Sequence, residues 1–252
     1  YGLAPCVTKT YKKYCSTNLY KSLEILAPSD EPDTTEDKSN GIQGGLTLFD
    51  LKEIAYEIEK RTGSFPQITT DAKYLEEEKK ILLTKGLSEE VIDKAQKFAV
   101  KEAYRETEKA TYQAMEALIH NLNTMHSRAG AQTPFSSINY GTDTSPEGRM
   151  VMRNILKATE AGLGMGETPI FPIQIFRVKE GINYNPGDPN YDLFRLAIKV
   201  SAKRLFPNFS FIDAPFNLPY YIQGDYNTEV AYMGCRTRVM GNHYDPSKQV
   251  TC

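Results

Sequence analysis

One cysteine, Cys235, sits at a Gly-flanked turn directly after three strand-like segments, where a barrel would display a reactive sulfur. It closes a series of four runs in fixed order: His-Ser-Arg-Ala-Gly at 126–130, Pro-Phe-Ser-Ser-Ile-Asn-Tyr-Gly at 134–141, Gly-Leu-Gly-Met-Gly-Glu-Thr-Pro at 162–169, and Met-Gly-Cys-Arg-Thr-Arg at 233–238. Gly234 lets the loop turn tightly, and Met233 and Val239 are expected to pack around the sulfur. An isolated free cysteine is usually a structural, buried residue; the motif around this one favours chemistry. Arg236 and Arg238 are discordant neighbours, either kept away from the sulfur by alternation or tied to carboxylates. Ser136, Ser137 and Asn139 offer hydroxyls, an amide and backbone N–H groups near a strand end. Such groups suit the anionic or hydroxyl groups of a ligand, and equally suit the capping of the following turn.

The other candidates carry less. The four cysteines, at 6, 15, 235 and 252, have neither zinc-site spacing nor the density of a disulfide scaffold, so reduced thiols are expected. Cys6, beside Pro5, reads as helix-start packing, Cys15 receives no catalytic role, and Cys252 lies at the chain end. His120 and His126 fall on different faces of a continuing helix and His243 stands alone, so no metal site is expected. The Gly162 run follows a helix rather than a strand and lacks the dinucleotide spacing; its expected work is to end a helix and enter a strand.

The elements that must position these residues change character along the chain. Residues 5–26 have helical apolar spacing and read as one or two surface helices, and a further helix is expected over 47–61. Between them, residues 27–45 turn acidic and polar, with Pro28, Pro32 and Gly44-Gly45, and read as a mobile loop. The charged run at 76–80 reads as a solvated helix face. Residues 88–125 form the longest periodic stretch, with Ser88 as N-cap, Glu89 and Glu90 in the first turn, and Met115, Leu118, Ile119, Leu122 and Met125 stepping by three and four. Unbroken, such a helix would reach about 55 Å, so it either breaks near Ala103 or extends to meet a partner chain. Beyond it, strands at 133–140, 170–178 and 208–213 alternate with helices at 145–161 and 190–205, which predicts parallel βαβ units. Residues 143–145 are expected to cap the first of these helices, and ligands to bind at the carboxyl ends of the strands, near Asp213.

Composition sets the class. The chain has 252 residues, 40% hydrophobic, and a formal net charge of −2, enough for one large or two small domains and without the basic footprint of a nucleic-acid binder. The sequence has no apolar run long enough for a membrane span and no opening signal segment, so a cytoplasmic protein with neither nucleic-acid nor membrane partners is expected. It opens on Tyr1 rather than Met and ends directly after a strand-like Gln-Val-Thr, which reads as a piece of a longer polypeptide.

The runs at 126–143, 167–176, 201–215 and 233–239 closely resemble the anaerobic (class III) ribonucleoside-triphosphate reductases, which are glycyl-radical enzymes. The resemblance is dense over 111–245, is weaker over 1–13 and leaves out the loop at 27–45. It implies an α/β fold, a ten-stranded barrel of two parallel half-barrels with a finger loop threading its centre. The chain would carry the first half-barrel and the finger loop at 127–252, and a mainly helical dimer and effector region at 1–126. It implies that Cys235, as the catalytic residue, holds a transient thiyl radical that abstracts the 3′ hydrogen of a ribonucleotide, and that Ser136, Ser137, Asn139, Gly234 and Arg236 contact substrate. Hydrogen-atom transfer uses the thiol rather than the thiolate, which asks for a dry, apolar setting.

Also implied are ribonucleoside triphosphate substrates, deoxynucleotide and ATP effectors and a homodimer. A radical-SAM iron–sulfur activating enzyme, a glycyl radical and a structural zinc outside this chain, and formate or a thiol protein as reductant complete the set. Two other readings stand beside this one. A different glycyl-radical enzyme would share the barrel and loop cysteine, although the Ser-Ser-Ile-Asn and Gly-Cys-Arg-Thr-Arg runs argue against it. A noncatalytic nucleotide-binding or dimerisation module would describe the piece by itself.

Overall fold

The computed structural model describes residues 3–28, 42, 45–69, 71–125, 132–225, 228–234, 237–242, 244–245 and 247–251. The expected loop at 27–45 falls largely outside them. The chain divides into two compact units, Gly2–Ala110 and Thr111–Cys252, and the division lies inside one long helix. The change of pattern along the sequence predicts it later, at 126.

The first unit is helical: α1 (Ala4–Leu26), α2 (Leu48–Thr62), α3 (Ala72–Thr84) and most of α4 (Glu89–Thr124). Residues 5–26 form one helix rather than two. Thr47 and Asp50 make a reciprocal capping box at the start of α2, and Asp71 accepts from the N–H groups of Lys73 and Tyr74 to start α3. Leu19, Leu23, Leu51, Ile58, Leu82 and Ile92 meet in its core. Tyr74, Glu78 and Leu82, each four apart, form the buried face of α3. Glu78 therefore departs from the solvated face expected for the 76–80 run: it is 6% exposed. Cys6 departs too, being exposed rather than packed at the helix start.

Helix α4 runs 36 residues without a break at Ala103. Ala95, Ala99, Ala103, Thr107 and Thr111, small residues four apart, are all buried. Alanine carries the highest helix propensity and a narrow profile, so the stripe can be packed closely without bending the helix. Among the described residues, no helix is long and apolar enough to cross a membrane.

The second unit holds the βαβ pattern. Strands β1 (Ser137–Tyr140), β2 (Ile173–Val178) and β3 (Asn208–Phe211) pair in parallel in that order. Helices α5 (Pro146–Ala161) and α6 (Tyr191–Arg204) are the crossovers. Phe176 and Val178 of β2 pack with Met152 and Leu156 of α5 and with Leu193, Ala197 and Val200 of α6, which puts both helices on one face. Ser145 caps α5 by accepting from Gly148 N at 3.1 Å, as expected, and Asp143 accepts from Ser145 N at 2.9 Å. Gly162 closes α5 through its N–H to Ala158 O at 3.2 Å.

Strand β1 is shorter than the expected 133–140. The ladder opens where Ile173 N–H donates to Ser136 O at 2.9 Å, and Pro134 upstream has no N–H to contribute. A second sheet follows, antiparallel and ordered β4 (Ala231–Met233), β5 (Thr237–Gly241) and β6 (Gln249–Thr251).

Candidate active site

Alternation along the parallel strands separates two faces. Ile138, Tyr140, Gln174, Phe176 and Phe209 turn to the helices. There the Tyr140 hydroxyl donates to Gln174 Oε1 at 2.7 Å, and Gln174 Nε2 donates to Thr159 Oγ1 at 2.8 Å. Burial pushes the Tyr140 pKa upward. Ser137, Asn139, Arg177 and Ser210 alternate with these residues, and all four bond to the segment 229–234.

Segment 229–234 crosses that polar face with a series of bonds. The Glu229 carboxylate, its side chain 6% exposed, accepts from Lys179 Nζ at 2.5 Å and lies 3.4 Å from Arg177 NH1. Burial pulls the Lys179 pKa down, but the bonded carboxylate outweighs it and the net shift is upward. Asn139 Nδ2 donates to Tyr232 O at 2.7 Å while its Oδ1 accepts from Tyr232 N at 2.9 Å. Ser210 Oγ donates to the Tyr232 hydroxyl at 2.9 Å. Gly234 N donates to Ser137 Oγ at 3.1 Å. Gly234 has φ +64, a left-handed backbone suited to glycine at this turn.

Cys235 and Arg236 lie outside the described residues. On either side of them, Met233 and Thr237 are paired across the β4–β5 hairpin. Met233 is 59% exposed, and its expected packing around the Cys235 sulfur lies outside the described residues. Tyr232 turns to the sheet, and the pleat sends its neighbour the other way. Arg238 donates to Asn217 Oδ1 at 3.1 Å and stacks over Phe216.

The expected substrate residues therefore occupy different positions. Ser136 precedes β1 and Ser137 opens it, which places both at the amino end of the sheet and not at the carboxyl end, because the ladder starts late. Ser137 and Asn139 are bonded to the hairpin. The Ser136 hydroxyl is buried with no hydrogen-bond partner among the described residues. Asp213, just past the end of β3, accepts from Glu180 N at 2.7 Å and helps line a cavity of about 210 Å³ with Tyr184 and Phe211.

At the carboxyl end of β1, the turn is fixed by two fully buried amides. Asn183 Nδ2 donates to Gly141 O and Arg177 O, both at 2.9 Å, and Asn190 Nδ2 donates to Gly141 O at 3.1 Å and Asp143 O at 2.8 Å. Gly141 has φ +128, and a Cβ there would stand 2.4 Å from Arg177 O. Only glycine allows the two strand ends to approach this closely.

Sequence reasoning missed a second polar cluster, in the helical unit. The Tyr74 hydroxyl and Gln96 Nε2 each donate to Glu78 at 2.8 Å, and Tyr11 and Cys15 are among the residues that line an adjoining cavity of about 20 Å³, room for about one water. Burial raises the Glu78 pKa against the bonds from Gln96 and Tyr74. Burial also pushes the Cys15 thiol up to about 12, with the Tyr11 hydrogen bond opposing and the nearby Glu78 adding. The signal available was the four-residue step Tyr74, Glu78, Leu82. Among the described residues no three His, Cys, Asp or Glu side chains come together to hold a metal ion.

A sequential parallel βαβ sheet with an antiparallel hairpin bonded across its polar face defines an α/β protein whose helix-free face is built for polar contacts. The comparison with known families is more specific: residues 58–251 match the model of the anaerobic ribonucleoside-triphosphate reductases, and the chain belongs to that family. It is 37% identical over 132 residues to the anaerobic ribonucleoside-triphosphate reductase of Salmonella typhimurium, covering 52% of this chain and 17% of the relative. The namesake from Enterobacteria phage T4 is 40% identical over 151 residues, 58% of this chain and 24% of the relative. The Escherichia coli protein of the same name is 36% identical over 132 residues, 52% of this chain and 17% of the relative. The matches thus span less than a quarter of the length of these curated relatives.

Proposed function

We propose that the protein containing this chain reduces ribonucleoside triphosphates to deoxyribonucleoside triphosphates anaerobically, with Cys235 as the residue that exchanges a hydrogen atom with the substrate sugar. The observation that carries this reading is the family match together with the hairpin whose connection, 234–236, includes Cys235 and whose β4 strand is bonded across the polar face of the parallel sheet. In this reading the sheet is part of the first parallel half of a ten-stranded barrel, and the hairpin is its finger loop.

A glycyl radical outside this chain would supply the acceptor for the Cys235 thiol hydrogen atom, one S–H bond breaking as one C–H bond forms at the glycine. The sulfur then takes the 3′ hydrogen of the ribose, so one S–H bond forms as one C–H bond breaks. This chain's own residues hold the geometry: Asn139, Ser137 and Ser210 bond the hairpin to the sheet, and Glu229 ties its base to Arg177 and Lys179. The buried Ser136 hydroxyl, without a partner among the described residues, supports a polar ligand group nearby, and Ser137, which accepts from Gly234 N, has a hydroxyl hydrogen able to donate. Arg236 belongs to the same proposed substrate surface. Deoxynucleotide effectors, a homodimer, a radical-SAM activating enzyme and formate or a thiol protein as reductant complete the proposal.

The test is anaerobic activation of the full-length protein and measurement of deoxynucleotide formation by the wild type, Cys235→Ser and Cys6→Ser. Cys235→Ser is expected to abolish turnover, and Cys6→Ser to leave it unchanged. Turnover that survives in Cys235→Ser removes the radical assignment.

A further inference from the structure

We infer that Asn139 is a positioning residue, which fixes strand β4 and Gly234 at one depth over the sheet, and not a contact to substrate. Its side-chain amide does for Tyr232 what a neighbouring strand would do: one donor and one acceptor meet the C=O and N–H of a single residue, at 2.7 and 2.9 Å. Strand β4 is only three residues long. Its pairing with β5 satisfies one edge, and without Asn139 both backbone groups of Tyr232 would be left without that partner in a part-buried setting. No other residue type fills this place. Aspartate lacks the donor, serine is too short, and glutamine is longer by a methylene.

The surroundings make the position firm. Asn139 lies within β1, between Ile138 and Tyr140, which are packed on the helix side, and its backbone is in register with Ile175. The Ser210 bond to the Tyr232 hydroxyl and the Ser137 bond to Gly234 N flank the amide on either side. The rigid sheet thus offers three side chains, two from β1 and one from β3, matched to groups of the hairpin. The kinetic consequence rests on the reductase reading; the placement itself does not.

The experiment compares the full-length wild type with Asn139→Ala, Asn139→Asp and Ser210→Ala. Amide hydrogen exchange is followed over 231–234, with β2 and α6 as the internal check of folding. In Asn139→Ala, exchange at Tyr232 is expected to speed up about 10-fold, the scale of one lost hydrogen bond. The kcat for nucleotide reduction should fall about 100-fold, as for a reacting group displaced by about 1 Å, with KM unchanged. Ser210→Ala should move both readouts the same way by less. Asn139→Asp should lose kcat at neutral pH and regain it, relative to wild type, as acidification protonates the carboxyl and restores the donor.

A raised KM with kcat and exchange unchanged would overturn the inference and return Asn139 to the substrate surface. If Asn139→Ala does not fold, the pH-dependent recovery of Asn139→Asp decides, and its absence overturns the assignment. If the wild type reduces no nucleotide, the reductase reading fails while the exchange rates still decide whether Asn139 positions β4.

Discussion

Replacing Glu229 by glutamine removes one negative charge from between two part-buried cations. The Glu229 side chain is 6% exposed, and those of Arg177 and Lys179 are 16% and 19% exposed. Removing one partner of a buried pair costs about 3–5 kcal/mol, chiefly because the remaining charge stays desolvated. Glutamine keeps an acceptor for Lys179, and both cations retain some contact with water, which brings the expected loss to about 2–4 kcal/mol. For a unit of this size, a loss of about 3 kcal/mol corresponds to a fall in melting temperature of about 6–12 °C.

The chain has no tryptophan, so far-UV circular dichroism with urea and heat is the suitable assay. Glu90→Gln, which breaks an exposed i,i+4 pair with Lys94, is the control and should not measurably change stability. Adding Lys179→Met to Glu229→Gln should recover part of the loss, since the unpaired ammonium is then gone. If Glu229→Gln loses less than about 1 kcal/mol, the cluster does not hold the base of the hairpin as argued.

Two further outcomes concern the helical unit. The folded unit retains the Glu78 proton to a higher pH than the unfolded chain does. The stability this contributes is complete below the ordinary carboxyl value of 4.5 and declines by up to about 1.4 kcal/mol per pH unit as pH rises through the raised folded pKa. Glu78→Gln should flatten this dependence in urea melts at a series of pH values, and identical slopes for the two proteins would count against a buried neutral carboxyl. The exposed Cys6 should be alkylated well before Cys15, whose thiol is held up to about 12. Peptide mapping after brief alkylation at about pH 8, near the ordinary thiol pKa, reads this directly, and equal labelling would contradict the buried setting of Cys15.

Periodicity made the architecture legible wherever local preference and burial agree. The parallel strand–helix alternation after residue 133, the Ser145 cap and the long helix α4 all survive in the structure. What was not legible depends on partners far along the chain. Asn139 meets Tyr232 across 93 positions, and Lys179 meets Glu229 across 50; spacing within one segment cannot encode either bond. Glu78 was hidden for a different reason. In a run of five charged residues only the helical phase, set by Tyr74 and Leu82, distinguishes the one that faces inward. The division between units was hidden because a single helix carries the chain across it without any break in its pattern.

The most direct test of a sulfur that takes hydrogen from the sugar is a substrate isotope effect. The activated full-length protein is supplied with a ribonucleoside triphosphate carrying deuterium at the 3′ carbon, and deoxynucleotide formation is compared with that from the unlabelled nucleotide. The account predicts slower turnover of the labelled substrate, and no turnover of either in Cys235→Ser. Equal rates under conditions where the chemical step limits turnover, or an isotope effect that persists without the Cys235 thiol, would contradict it.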